Sequence, residues 1–162
     1  MAESHEREHP FPGKRTDNFA LGGWLDHSYF IVERAQIFFD DPIEGDHLEI
    51  FAHSVGCAPG TDPVSGSATW QGVFAGYDLS TAPGTLVEGD AAITMGFAQS
   101  TVDVAFTRLG GRSSMTWTAL PAVNGVFQDD TLRGQFYGPN HEEAGGVFHR
   151  NRIAGALGAA RQ

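Results

Sequence analysis

From residue 66 onward the chain alternates apolar and polar side chains with a period of two. In 67–77, Ala68, Trp70, Gly72 and Phe74 fall on one face, and Thr69, Gln71 and Val73 on the other. In 86–95, Val87, Gly89, Ala91, Ile93 and Met95 oppose Glu88, Asp90 and Thr94; in 101–108, Val102, Val104 and Phe106 oppose Thr101, Asp103 and Thr107. Residues 114–120 and 131–138 repeat the pattern, and 145–150 and 152–160 repeat it with more glycine. Alternation over many short segments, separated by turns containing Gly and Asp, predicts antiparallel strands with one dry and one wet face. No segment carries a strong amphipathic helix longer than two turns, so the fold class is all-β. About eight strands fit between residues 66 and 161, the number at which a closed barrel is just filled by its own side chains. Closure also removes the exposed edges of an open sheet. The expectation is an eight-stranded antiparallel β-barrel; a β-sandwich would show the same alternation.

The first third is less regular. Runs 19–32 (FALGGWLDHSYFIV) and 47–55 (HLEIFAHSV) mix aromatic and β-branched residues and read as strands, with Asp41-Pro42 as a turn between them. Residues 57–67 read as a loop or linker. The expected organisation is a polar, disordered tail over 1–17, a short β segment over 18–61, and the barrel over 62–162.

Composition narrows the function. A net charge of −10, with one lysine, Lys14, and nine scattered arginines, argues against nucleic acid and anionic membrane surfaces as partners. The acidity is concentrated early: residues 1–61 hold eleven acids against four bases. A single cysteine, Cys57, excludes an internal disulfide, and the spacing of a structural zinc site is absent. No run approaches the ~18 apolar residues of a membrane span, and the N-terminus lacks the apolar core of a signal peptide.

One stretch interrupts the alternation. In GQFYGPNHEEAGGVFHR, residues 134–150, a proline, a histidine, two glutamates and two glycines follow one another closely. Pro139 suits the first turn of a short helical segment, Glu142 and Glu143 then lie near its positive end, and Gly145 and Gly146 would end it in left-handed conformations. Strands over 147–150 and 152–160 would follow. As a catalytic pair the two glutamates are poorly placed. Adjacent side chains on a helical turn point about 100° apart, whereas a glycosidase converges its carboxylates across ~5–9.5 Å. The stretch reads as a corner of the fold.

The same residues carry a resemblance. The C-terminal run from residue 134 resembles the last strands of the β-barrel domain in the transferrin-binding protein B family, through Gly134, Phe136, Tyr137, Gly138, Pro139, Glu143, Gly145, Gly146, Phe148 and residues 155–159. Residues 66–77 (GSATWQGVFAGY) look like that family's opening barrel strand. The resemblance covers about residues 62–162, and 18–61 match much more weakly. It implies a secreted or surface-associated protein of a Gram-negative bacterium, with an eight-stranded barrel preceded by a handle, here reduced. It implies binding of a host protein or a haem-type iron source rather than catalysis. Two departures are plain: the family's namesake has two handle–barrel lobes and a lipidated N-terminal cysteine, and this chain has one barrel and no such cysteine. It is more similar to the small single-lobe relatives, such as the haem-binding hemophilins.

Two further features bear on chemistry. His5-Glu6-Arg7-Glu8-His9 is a literal H-E-x-x-H, which on a docked helix would hold zinc. Pro10 follows at once and no apolar pattern would dock such a helix. His27 and His53, with Tyr29 and Phe51, lie in the aromatic-rich segment, where strand alternation would gather Leu25, His27, Tyr29, Phe51 and His53 into a haem pocket. No G-x-S-x-G elbow, P-loop or dinucleotide fingerprint occurs. The reading is a non-catalytic binding module, with no obligate cofactor, haem a possible ligand, and an extracellular protein or haem-type ligand as partner. The alternative is a display barrel of a larger surface protein, with no small-molecule ligand.

Overall fold

The computed structural model describes residues 2–8, 14–40, 45–61, 65–80 and 83–162, with backbone alone for 2–8 and Lys14. Among these residues there are twelve strands and no helix. Four form an antiparallel sheet in chain order: β1 (Ala2–Glu8), β2 (Lys14–Trp24), β3 (Ser28–Phe39) and β4 (His47–Gly56). The other eight close a barrel: β5 (Ser67–Asp78), β6 (Thr85–Gly96), β7 (Thr101–Thr107), β8 (Met115–Val123), β9 (Val126–Gln128), β10 (Leu132–Tyr137), β11 (Glu143–Arg150) and β12 (Ile153–Arg161). Every neighbouring pair is antiparallel, and β9 against β10 completes the ring.

The alternation in sequence becomes inside and outside. Trp70, Phe74, Ile93, Met95, Val102, Val104, Phe106 and Trp117 point inward with Phe127, Phe136, Phe148 and Leu157, all buried in one cluster. Aromatic rings organise it: Phe74 stacks on Phe106 at 4.5 Å, and Phe148 meets Phe106 edge-on at 4.8 Å. Trp70 lies 4.5 Å from Phe136, and its indole N–H donates to the carbonyl of His141 at 2.8 Å. An eight-stranded interior holds about this much side chain. One end is sealed by the β7–β8 loop, where Leu109 is buried and Arg112 pairs with the fully buried Asp78.

Four expectations change. Residues 2–8, expected in a disordered tail, are paired with β2 from Ala2↔Leu21 to Glu8↔Arg15. His5 to Glu8 are therefore extended, so the H-E-x-x-H spacing does not place its residues on a helix; His9 lies outside the described residues, as does the Asp41-Pro42 turn. The run 19–32 is two strands: Leu25 N–H donates to the Ser28 carbonyl at 2.8 Å across an Asp26-His27 turn. The corner after Tyr137 is tighter than a helical turn. Left-handed φ falls on Gly138 (80°) and His141 (59°), and β11 begins at Glu143, so Gly145 and Gly146 are strand residues. β11 thus starts four residues earlier than the alternation alone indicates and β12 is shifted one residue later at each end, with Gly145 paired to Gln135 and to Gly158.

Candidate binding surface

The N-terminal sheet has two faces with different fates. Residues of β3 alternate, so Ser28, Phe30, Val32 and Arg34 turn toward the barrel while Tyr29, Ile31 and Glu33 turn away. The register with β4 sets Ala52 and Ser54 on the barrel side, and Phe51, His53 and Val55 on the far side.

The barrel offers this sheet a seat of small residues. Ala156 and Gly158 of β12 point outward and are buried, and a Cβ added to Gly158 would overlap the Phe30 ring. A Cβ on Gly145 would likewise collide with the Ser54 hydroxyl. Val32 packs with Ala75 and Tyr77 of β5, joined by Phe19, Leu21, Ile50 and Leu79. The contact is pinned by polar groups. Glu143, buried at the start of β11, accepts hydrogen bonds from the His27 N–H at 2.9 Å and the Ser28 hydroxyl at 2.6 Å. Tyr137 Oη and Ser54 Oγ share a hydrogen bond of 3.1 Å, and burial pushes the Tyr137 phenol up, only partly offset by that bond. Tyr77 is also raised by burial, with the Arg34 charge acting in the opposite sense. Arg34 meets Asp17 at 3.2 Å.

The corner residues therefore act as a joint between sheet and barrel. Phe136 anchors it in the core, Tyr137 and Glu143 reach the sheet, and Gly138 admits His27, whose ring would overlap any Cβ there. Pro139 is exposed. Glu142 accepts from the Asn140 backbone at 2.9 Å and from the Asn140 amide at 2.6 Å, which holds its carboxyl below the ordinary value. The two glutamates thus satisfy different partners and share no reaction centre.

The far face is open. Trp24 is 70% exposed, Val55 49%, Phe51 45% and Tyr29 38%, and all four lie on this side of the sheet with half-buried Ile31. Trp24 stacks on its cross-strand partner Tyr29 with ring centroids 6.3 Å apart. His53 is exposed between Phe51 and Val55, and Glu33 and Glu49 supply negative charge. Among the residues expected to form a haem pocket, Tyr29, Phe51 and His53 do share this face. His27 and Leu25 do not join them. The Asp26-His27 turn resets the alternation, so the His27 ring lies against Gly138 and Leu25 lies near Gly158, both on the barrel side. The five residues do not enclose one pocket. Sequence reasoning missed Ser28, Ser54 and the joint role of Glu143, because their partners are more than eighty residues away in the chain.

Beside the sheet, a groove of about 400 Å³ runs between Leu21, Gly22 and Phe30 on one side and Val73, Glu88 and Asp90 on the other. Arg108 closes its end by pairing with Asp90.

No protein-family model matches this sequence, and no curated protein does. Solved structures do match its fold. Intact Ap-TbpB, with N and C lobes, superposes at a TM-score of 0.58 and 16% identity, covering 99% of this chain and 38% of that one. Isotype 1 transferrin binding protein B from serogroup B Neisseria meningitidis gives 0.55 and 20%, covering 98% and 36%. The N-lobe domain of lactoferrin binding protein B of Moraxella bovis gives 0.52 and 11%, covering 99% and 80%. The chain thus has the fold of a single lobe of this type, sheet and barrel together, although it spans little more than a third of the first and second of these proteins. The likeness seen in the sequence over 62–162 extends, as fold, to the N-terminal sheet.

Proposed function

We propose that this chain is a non-catalytic protein-binding lobe, displayed outside a Gram-negative cell, that engages a host protein through the far face of its N-terminal sheet. The observation that carries this reading is the cluster of Trp24, Tyr29, Phe51 and Val55 on a face with nothing packed against it among the described residues. Isolated exposed hydrophobics are ordinary, but a contiguous group rimmed by polar residues marks an interaction site. Trp and Tyr are the residue types that dominate interface hot spots. Proteins named for binding transferrin and lactoferrin share the fold, which supports an iron-carrying host protein as the partner class. The acidic balance favours a partner with basic surface. A haem-type ligand seated beside Phe51 and Tyr29 would meet the imidazole of His53.

Binding of purified transferrin and lactoferrin to the immobilised chain, with haemin titrated in parallel, tests the reading. The expected result is saturable binding of one protein, reduced at least about 100-fold by the double substitution Trp24→Ala and Phe51→Ala, since two hot-spot aromatics are each worth about 2 kcal/mol. Binding that survives the double substitution overturns the assigned surface. Absence of binding to either protein, with no haemin spectral shift, returns the chain to the display-barrel alternative.

A further inference from the structure

We propose that the free edge of β4 is a strand-addition site, which takes an extended segment of a partner protein, apolar on one side and basic on the other, as a fifth strand of the N-terminal sheet. This goes beyond the binding face proposed above, because the recognition elements are backbone groups at the sheet edge rather than the aromatic side chains.

Among the described residues the edge is open and regular. β4 ends the sheet order β1-β2-β3-β4, and its pairing with β3 runs unbroken from Ser28↔Gly56 to Ile37↔His47. Sheet edges are ordinarily blunted by lysine, proline or a bulge. The sequence HLEIFAHSVG contains no lysine and no proline, and its register has no shift. The hydrogen-bond phase tells which groups face outward. Cys57 N–H donates to the His27 carbonyl at 2.9 Å, which makes 27 and 57 a bonded pair. In an antiparallel ladder bonded pairs recur every second residue, so Glu49, Phe51, His53 and Val55 spend their backbone groups on β3. Leu48, Ile50, Ala52 and Ser54 therefore direct N–H and C=O to the free edge. The Leu25 N–H to Ser28 carbonyl bond fixes the same phase on β2 and β3.

A cleft of about 310 Å³ lies against this edge, with Ala52 on one side and Asp130, Arg133 and Val147 on the other. A separate, smaller space of about 80 Å³ at Ser54 also borders Arg133 and Val147. An added strand sits about 4.8 Å from its neighbour, so its backbone would lie over this cleft with one side-chain face toward the barrel wall of β10 and β11. A second copy of this chain pairing edge to edge would bring its own barrel wall into the same space, which favours a lone extended segment. Side-chain chemistry follows from the walls. Val147 and Ala52 favour apolar residues facing inward. The opposite face of the added strand would neighbour the exposed Glu49 of β4, so bases are favoured outward.

The test uses the whole chain, NMR-detected amide exchange, and an acetylated nine-residue peptide of alternating Val and Lys. In the free protein, the amides of Leu48, Ile50 and Ala52 should exchange at least about tenfold faster than those of Phe51 and His53, as unbonded edge groups do. Adding the peptide should slow those three amides selectively. The same peptide, N-methylated at alternate residues to block the ladder, should bind at least about tenfold more weakly. Ala52→Pro should do the same, since its N–H is not used by β3 and an edge proline is tolerated; the N-methylated peptide carries the test if that variant fails to fold. Equal protection of even and odd β4 amides in the free monomer overturns the proposal, as does binding indifferent to N-methylation, or no protection at millimolar peptide. A concentration-dependent dimer that protects the same amides without peptide also overturns it, by giving the edge to a second copy.

Discussion

The barrel and the N-terminal sheet are built from the same kind of strand, yet one closes on itself and the other keeps a face and an edge open. In the barrel every inward residue meets another inward residue, and the outward face is predominantly polar or small. The sheet carries large apolar residues on both faces: Phe30 and Val32 toward the barrel, Trp24, Tyr29 and Phe51 away from it. Among the described residues only one of those faces has a partner within the chain. Under the proposed function the difference separates stability from recognition, because apolar area inside the barrel stabilises the fold, whereas apolar area on the far side of the sheet becomes useful only when something covers it.

Substitutions can break this contrast, and the largest effect belongs to the barrel. Trp70→Ala removes a fully buried indole and its hydrogen bond to His141, and should cost about 3–5 kcal/mol in a denaturant melt. Next comes the seat. Gly158→Val would drive a branched side chain into Phe30, and a cost of about 1–3 kcal/mol is expected. Near-UV circular dichroism of the barrel aromatics should persist while protease cleavage within 14–56 rises. Glu143→Ala leaves the His27 N–H and the Ser28 hydroxyl without their acceptor and should cost about 1–3 kcal/mol, more than Glu142→Gln, whose carboxylate bonds chiefly to the exposed Asn140.

The pH dependence sharpens the barrel side. Asp78 is held below its ordinary value of 3.8 by hydrogen bonds from Ser80 and then by the Arg112 charge. A depressed carboxyl contributes stability that is fully present above that ordinary value and is lost as pH falls through the lower folded value. The melting temperature should therefore hold down to about pH 5 and drop below pH 3.8, and Asp78→Asn should flatten that acid limb. An acid limb unchanged in Asp78→Asn would remove the loop seal from the account. The smallest effect is on the open face: Trp24→Ala should change stability by no more than about 0.5 kcal/mol, as expected at an exposed site.

The barrel was legible in the sequence because its strands have one wet and one dry face. Ala68, Trp70 and Phe74 announce an inside without any knowledge of what they meet. β9 was not, since Val126–Gln128 is too short to alternate visibly. Its signal was Asn124-Gly125, whose φ values of 52° and 75° suit a tight hairpin turn. The sheet was harder for a different reason: when both faces carry aromatics, period two no longer says which is buried. The Asp26-His27 turn was hidden among those aromatics, and missing it put His27 on the wrong side. The corner was recognisable as a corner, but its glycines were assigned to backbone freedom. At Gly145 the reason is the approach of Ser54, a contact between residues 91 positions apart that no local pattern encodes.

The central claim is that recognition belongs to the sheet and stability to the barrel. Val123 provides the direct control, because at 65% exposure it is nearly as open as Trp24 but projects from the barrel. The measurement is the affinity of Trp24→Ala and Val123→Ala, side by side with the unaltered chain, for whichever of transferrin and lactoferrin binds. The account predicts a loss of about 30-fold for Trp24→Ala, the scale of one hot-spot aromatic, and no change for Val123→Ala. Equal losses, or a loss confined to Val123→Ala, would contradict it.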